Sequence, residues 1–293
     1  MTIPEQKYVE CAGKRFYTHN HSYDNSLILR ISFKERITIR DLTEIKELET
    51  LTELKALVIK DINIKRIAGL DTLTNLHYLW LFKNNISRIE GLESLIHLKL
   101  LRLLGNNISK IENLDSLANL KGLDLVENQL FKIENLESLE SLRHLDLRFN
   151  KISKIGAFGN LKNLRGMELQ GNLIESIENI NTLPNLEELM LPKNRIKSFE
   201  IGDLPKSLRW LDLSNNQISR IPDFHDFPNL SYLDLSNNRL SEPEDIEQFK
   251  TIKNIYVNIY GNPFCDKLKS AGKIIMENEP HKQVCPVGSR TSL

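Results

Sequence analysis

The side chains most able to do chemistry in this sequence are aromatic and acidic residues spaced two apart. Trp80 lies between Tyr78 and Phe82, and Asp212 follows Trp210 at the same interval. Side chains two residues apart in a β-strand point to one face. Aromatic residues are enriched at protein interfaces, so this spacing predicts recognition of a partner rather than catalysis.

Three carboxylates, Asp124, Asp146 and Glu168, recur at 22-residue intervals. In a parallel sheet, equal positions on neighbouring strands lie about 4.8 Å apart, so these charges repel one another. Two explanations remain open. The internal one is neutralisation by nearby arginines, which are Arg143, Arg148 and Arg165. The functional one is that basic side chains of a partner neutralise the row, which gives orientation and faster association.

Catalytic and metal-binding signals are weak. His19 and His21 lie near Cys11 in the sequence, but a metal site needs a third or fourth ligand in fixed geometry. No nucleophile accompanies His77 or His144. We therefore predict no catalytic group, no metal, no cofactor and no enzymatic activity.

The aromatic and acidic residues described above belong to a 22-residue repeat that covers most of the chain. Leucine recurs at one position of nine successive turns: Leu54, Leu76, Leu98, Leu120, Leu142, Leu164, Leu186, Leu208 and Leu230. Asparagine recurs eight residues after it in eight turns: Asn84, Asn106, Asn128, Asn150, Asn172, Asn194, Asn216 and Asn238. Further apolar positions complete each turn, which indicates stacked units that share one core.

The spacing within a turn predicts its local structure. Alternating apolar residues early in the turn indicate a short strand, and the asparagine amide can bond backbone groups that the following bend leaves open. The second half is too short for a long helix, so we expect extended or 3₁₀ segments on the convex side. We predict an N-terminal β-rich cap at residues 1–31 and about ten turns at 32–264. A capping helix at 265–280 and a flexible tail at 281–293 follow.

The pattern LxxLxLxxNxIxxIxxLxxL resembles the 22-residue class of the leucine-rich-repeat family, which includes internalins and the regulatory subunit of type-1 protein phosphatase. The resemblance implies a repeat of α/β type, a right-handed solenoid with a parallel β-sheet on its concave face. It also implies partner binding on that face, through the positions that the repeat leaves variable. A phosphatase-like enzyme is one candidate partner.

The variable positions of the predicted strands define the candidate binding residues. Around Trp80 they form an apolar patch that includes Val126. Two alternatives to partner binding remain open for this patch: an N-terminal cap that folds over it, or a crystal or self-association contact. A looser cluster surrounds Trp210, and both clusters belong to one extended footprint in this hypothesis. The predicted binding residues are Tyr78, Trp80, Phe82, Leu100, Arg102, Leu104, Asp124, Asp146, Phe149, Glu168, Met190, Trp210, Asp212 and Tyr232.

The charge balance and the cysteine content limit the classes of partner and the cellular compartments that fit this sequence. Thirty-nine basic and thirty-nine acidic residues balance, which disfavours nucleic acid and anionic membranes as partners. We see no signal peptide, and three widely spaced cysteines suit a reducing compartment. We therefore expect Cys265 and Cys285 to be thiols; export of the protein is the alternative, in which these two cysteines can pair. We expect a monomeric cytoplasmic scaffold or regulatory subunit that binds another protein. The alternative is a cell-surface recognition module of the internalin kind.

Overall fold

The computed structural model describes residues 7–20, 26–33, 37–156, 158–159 and 161–265. The chain divides into two compact units. The N-terminal unit is Met1–Lys151 with Ala157–Leu164, and the C-terminal unit is Ile152–Gly156 with Arg165–Leu293. Across the described residues, no helix has the length and apolar character needed to cross a bilayer.

The N-terminal unit begins with a small antiparallel hairpin and continues as a parallel sheet. Strands β1 (Tyr8–Cys11) and β2 (Lys14–Tyr17) form the hairpin. Strand β3 (His19–Asn20) pairs antiparallel with β4 (Leu27–Ser32). From β4 onward the neighbours are parallel and follow chain order: β5 (Ala56–Lys60), β6 (Tyr78–Phe82), β7 (Leu100–Arg102), β8 (Gly122–Asp124) and β9 (His144–Asp146).

The C-terminal unit contains a second run of parallel strands in chain order. They are β10 (Gly166–Glu168), β11 (Glu188–Met190), β12 (Trp210–Asp212), β13 (Tyr232–Asp234) and β14 (Tyr256–Asn258). One strand per turn, each paired with the next, makes each unit a parallel-strand solenoid. This is the fold that the repeat predicts.

The repeated leucines fill the interior. In β6, Leu79 and Leu81 point inward and are fully buried, whereas Tyr78, Trp80 and Phe82 alternate with them and remain half-buried. The register pairs Leu79 with Leu101 on the next strand, so equal positions of successive turns stack. Burial of each leucine side chain stabilises the fold by about 1.5–3 kcal/mol relative to exposure. The core therefore depends on a neighbouring turn on each side.

The asparagine column forms a buried hydrogen-bond ladder. The amide nitrogen of Asn106 donates to the carbonyls of Leu81 and Leu103, at 2.8 and 2.9 Å. Its side-chain oxygen accepts from the backbone N–H of Ile86 in the preceding turn, at 3.1 Å. Asn128 repeats the pattern one turn later. Each amide thus satisfies backbone groups of two turns that no strand partner reaches.

The side opposite the sheet is built from extended chain and short 3₁₀ helices, as predicted. The helices are Leu42–Glu44, Leu48–Thr50, Ile180–Thr182, Ile201–Asp203 and Pro243–Lys250. Two of them lie between β4 and β5, and the other three lie in separate later turns. The repeat therefore constrains the strand half of each turn more tightly than the other half.

The parallel sheet reaches back into the segment predicted as the N-terminal cap. Strand β4 pairs with β5 so that Ile28 lies opposite Ala56, and the chain between these two positions is longer than one repeat. The residues between these strands include two 3₁₀ helices and carry the extra length. At the other end, residues 263–265 are helical. The rest of the predicted capping helix at 265–280 and the tail at 281–293 lie outside the described residues.

Replacing Asn128 with alanine tests the ladder. We expect the free energy of unfolding to fall by about 1–3 kcal/mol, because the substitution leaves the Ile108 N–H without its amide acceptor in the core. The Leu103 and Leu125 carbonyls each lose one donor but still accept from Asn106 and Asn150. Asn119→Ala is the control, since its exposed amide makes a single bond to the Ile96 carbonyl. Urea denaturation measures both variants. Equal losses would contradict the structural role of the ladder.

Candidate functional site

The candidate site lies on the open face of the sheet, which we define by every second side chain of each strand from β5 to β14, counted from the first residue of the strand. Tyr78, Trp80, Leu100 and Arg102 share this face in the N-terminal unit, where Tyr78 pairs with Leu100 and Trp80 with Arg102. The structure therefore brings together the first predicted cluster. Leu104, which follows β7, is half-buried.

The aromatic side chains of β6 pack in sequence along the strand. The ring centroids of Trp80 and Phe82 lie 6.2 Å apart with nearly parallel planes, and those of Tyr78 and Trp80 lie 6.5 Å apart. The Arg102 guanidinium lies over the Trp80 ring, 5.6 Å from its centroid. Trp80 is half-buried rather than fully open, and its Nε1 is enclosed without an acceptor among the described residues. We call Tyr78, Trp80, Phe82, Leu100 and Arg102 the Trp80 patch.

One glycine shapes the edge of this patch. A Cβ atom added at Gly122 would lie 2.6 Å from Cδ1 of Leu100. The missing side chain therefore leaves room for Leu100 to lean over β8. Val126, predicted as part of the patch, is only 5% exposed, which removes it from the surface.

The described part of the N-terminal cap does not account for the patch. The backbones of Glu10 and Lys46 exchange two hydrogen bonds, at 2.9 and 3.1 Å. Lys46 lies between the first two 3₁₀ helices, on the side of its turn away from the open face. The described hairpin residues thus dock at a place other than Trp80.

Arginines of the same unit neutralise the acids of the N-terminal open face. Arg148 pairs with Asp146 through two nitrogens, with Nη2 2.6 Å from Oδ2 and Nε 2.9 Å from Oδ1. Nε of Arg102 lies 3.9 Å from Oδ2 of Asp124. Burial raises the pKa of Asp124, and the charge of Asp146 raises it further, while Arg102 and Arg148 oppose the shift. The internal explanation of the acid row is confirmed for Arg148, but Arg165 pairs with Glu187 instead.

The C-terminal unit carries an aromatic stack on its open face. The ring centroids of Trp210 and Tyr232 lie 3.8 Å apart with a 16° angle between planes, and those of Tyr232 and Tyr256 lie 5.2 Å apart at 10°. Tyr256 was not predicted, because additional residues shift its turn out of the repeat column. The strand register shows that Tyr256 occupies the same position in its turn as Tyr232, because the two residues pair across β13 and β14.

Two aspartates accompany the stack. Asp212 lies on β12, where its Oδ1 accepts from the Ser214 N–H at 2.8 Å. Asp234 is buried on β13 and accepts from the Tyr232 hydroxyl, the Ser236 N–H and the Asn258 amide. Burial raises the pKa of Asp212, and the charge of Asp234 raises it further. Burial and the charges of both aspartates raise the pKa of Tyr232 as well.

The remaining predicted residues lie at different places. Met190 is half-buried on β11 and pairs with Asp212. Glu168 is half-buried on β10 of the C-terminal unit. Phe149 belongs to the N-terminal unit, where it is exposed with a φ of 55°. That left-handed conformation is unusual for a bulky side chain, and the equivalent positions Asn215 and Asn237 carry the residue type that tolerates it.

A chain of side chains that resembles a catalytic triad occurs away from the sheet. His225 contacts Asp223 through Nδ1 and Thr251 through Nε2, the latter at 2.8 Å. The Thr251 hydroxyl, however, donates its proton to the Gln248 carbonyl at 2.8 Å, so the histidine does not receive it. In the part of the chain that the structure describes, no group of three His, Cys, Asp or Glu side chains could hold a metal ion.

The cysteines differ from the sequence expectation. Cys11 is a buried free thiol whose pKa burial raises to about 11. Cys265 is disulfide-bonded, so the prediction of a thiol is wrong for this residue. Cys285 lies outside the described residues.

Comparison with known proteins agrees with this architecture. A family model described as a leucine-rich repeat region matches residues 17–257. The chain belongs to the leucine-rich-repeat family. The resemblance noted in the sequence is thereby confirmed. No curated protein matches this leucine-rich-repeat chain.

Solved leucine-rich-repeat structures share the fold at low identity. The functional domain of InlJ from Listeria monocytogenes is 23% identical with a TM-score of 0.61, over 77% of this chain and 49% of that one. This chain thus spans about half the length of that domain. The internalin InlF from the same species is 23% identical with a TM-score of 0.56, over 90% and 87% of the two chains. A chain of the octameric complex of Latrophilin 3, Unc5D and FLRT2 is 20% identical with a TM-score of 0.59, over 83% and 91%. Leucine-rich-repeat folds of this kind are typically non-enzymatic, protein-binding modules.

Replacing Asp212 with asparagine tests the electrostatics of the C-terminal open face. A folded-state pKa above the unfolded value means that ionisation weakens the fold, so stability falls as the pH rises through that range. We therefore expect Asp212→Asn to raise the melting temperature at pH 7, since the amide oxygen can still accept from Ser214. The gain should shrink at acidic pH, where the wild-type carboxyl is protonated.

Asp226→Asn is the matched control for that measurement, because the Asp226 side chain is 84% exposed. Its melting temperature should stay close to that of the wild type at neutral pH. A lower melting temperature for Asp212→Asn than for the control would show that the aspartate stabilises its strand.

Proposed function

We propose that this leucine-rich-repeat protein is a non-enzymatic binding module that recognises another protein through the open face of its sheet. The observation that carries the proposal is the Trp80 patch. Three aromatic rings on one strand face lie beside the exposed Arg102. Trp, Tyr and Arg are the residue types most enriched among interface hot spots.

The packing of the patch suits a docking surface. Stacking of Trp80 on Phe82 and the position of Arg102 over the indole hold these side chains in one arrangement. Preorganised side chains lose little conformational freedom when a partner binds. The Arg102 guanidinium also has Asp124 within 3.9 Å, so the apolar rings adjoin a zone of alternating charge. Such a zone supplies orientation to a contact whose affinity comes from the rings.

Two biological settings follow for this module. One is a monomeric cytoplasmic scaffold or regulatory subunit, whose candidate partners include a phosphatase-like enzyme. The other is a cell-surface recognition module, which the disulfide at Cys265 favours, because disulfides persist mainly in oxidising compartments.

Partner capture by two variants of the N-terminal unit tests the binding face. We expect Trp80→Ala and Arg102→Ala to lower the recovery of a specific partner about tenfold or more, as loss of a hot-spot residue does. The immobilised protein is incubated with host extract, and retained proteins are quantified by mass spectrometry.

Phe131→Ala is the matched control for capture, since Phe131 is 57% exposed and lies outside the strands. It should retain the partner at the wild-type level. Circular dichroism of each variant confirms folding. Equal recovery by Trp80→Ala and Phe131→Ala would refute the proposed face.

The oxidation state of Cys265 in protein isolated from host cells separates the two settings. For a cell-surface module we expect an alkylating reagent, applied to the denatured and unreduced protein, to modify Cys11 but not Cys265. Peptide mapping measures both sites. Modification of both cysteines would favour the cytoplasmic setting.

A further inference from the structure

The aromatic stack of the C-terminal unit ends in an open ring. Tyr232 covers one side of Trp210 at 3.8 Å, yet Trp210 is 41% exposed. On the other side the neighbouring strand places Glu188, not another ring, opposite Trp210. Glu188 is itself exposed. The stack therefore presents an aromatic surface bordered by a carboxylate.

Negative charge accumulates around this ring. Asp212 lies two residues after Trp210 on the same strand face, and Asp234 is its counterpart on β13. Within residues 161–265, no ion pair joins Glu188, Asp212 or Asp234 to a basic side chain. The acids of the N-terminal open face differ, since Asp124 lies near Arg102 and Asp146 is paired with Arg148. Among the described residues, these three carboxylates thus lack the paired cations that Asp124 and Asp146 have.

We propose that Glu188, Trp210 and Asp212 form a receiving site for an arginine side chain of the partner protein. The inference rests on the proposed function and deepens it, because it specifies what the partner presents to the C-terminal unit. The guanidinium stacks on the exposed side of the Trp210 ring. The carboxylates of Glu188 and Asp212 pair with the guanidinium nitrogens.

Arginine suits this arrangement better than lysine. A guanidinium is planar and delocalised, so it can stack on an indole while its edge donates hydrogen bonds to carboxylates. An ammonium is a compact and strongly hydrated charge that makes no parallel stack. Trp also offers the strongest cation–π attraction among the aromatic residues. Its position at the end of the stack fixes the ring plane before the ligand arrives.

The environment of Asp212 supports the same conclusion. Partial burial raises its pKa, and Asp234 adds a like charge without a cation to offset it. Arrival of a guanidinium removes that imbalance, so the carboxylate interacts more favourably in the complex than in the unbound protein.

Binding of short peptides to the full chain tests the site. The probe is acetyl-Gly-Arg-Gly-Arg-Gly-amide, and the matched control peptide replaces both arginines with citrulline, which has a similar shape without the charge. Tryptophan fluorescence is recorded in a Trp80→Phe background, so Trp210 is the sole indole. We expect the arginine peptide to bind with a Kd on the order of 1 mM and to weaken as salt increases.

Variants of the site and of a remote carboxylate complete the experiment. Glu188→Gln and Asp212→Asn should each weaken arginine-peptide binding about threefold or more, whereas Asp226→Asn should not change it. A third peptide, with lysine in place of both arginines, should bind more weakly than the arginine peptide. The inference is overturned if the citrulline peptide binds as tightly as the arginine peptide, or if both site variants bind like the wild type.

The outcome is independent of the capture experiment on the Trp80 patch. Loss of partner capture in Trp80→Ala together with no arginine-peptide binding would reject the arginine site and retain the binding function. Arginine-peptide binding with unchanged capture by Trp80→Ala would retain the site and reject the N-terminal patch.

Discussion

The stacking of each turn on the preceding one is the constraint on which the rest of the molecule depends. Two buried interactions produce it, the contact of leucine side chains at equal positions and the amide ladder. Asn106 bonds backbone groups of its own turn and of the turn before it, so neither turn satisfies its polar groups alone. Because the inward residues hold the turns together, the outward residues are not needed for stacking. The binding chemistry can therefore vary without loss of the fold.

The repeat predicted the interior and the direction of most strand side chains. Its regular period places Leu101 beside Leu79 and Arg102 beside Trp80, and both pairs occur. It failed where a turn changes length. Tyr256 escaped prediction because its turn is longer than the repeat, and β4 was assigned to the cap because the chain from Ile28 to Ala56 is longer still. Local length changes are accommodated opposite the sheet, where no periodic constraint identifies them.

Exposure was harder to predict than direction. Val126 was expected on the surface because strand alternation was extended beyond Asp124. Strand β8 ends at Asp124, so the alternation stops there, and Val126 is buried in the bend that follows. Strand β6 continues to Phe82, which keeps its aromatic ring on the face. Strand length depends on how neighbouring turns pair, a tertiary property that the residue pattern of one turn does not contain.

The two open faces use the same residue types in different electrostatic settings. In the N-terminal unit, Arg148 binds Asp146 through two nitrogens, so the charge of that carboxylate is neutralised by a cation of the same unit. In the C-terminal unit, Asp234 is satisfied by neutral donors, so its charge remains and acts on its neighbours. Neutral hydrogen bonds satisfy the oxygen atoms of a carboxylate without cancelling its field. A stack of rings near this negative charge attracts a planar cation more strongly than the rings alone would. The carboxylate charge and the negative potential at the ring faces both attract the cation. The difference between the faces thus follows from the partners of their aspartates, not from the number of acids.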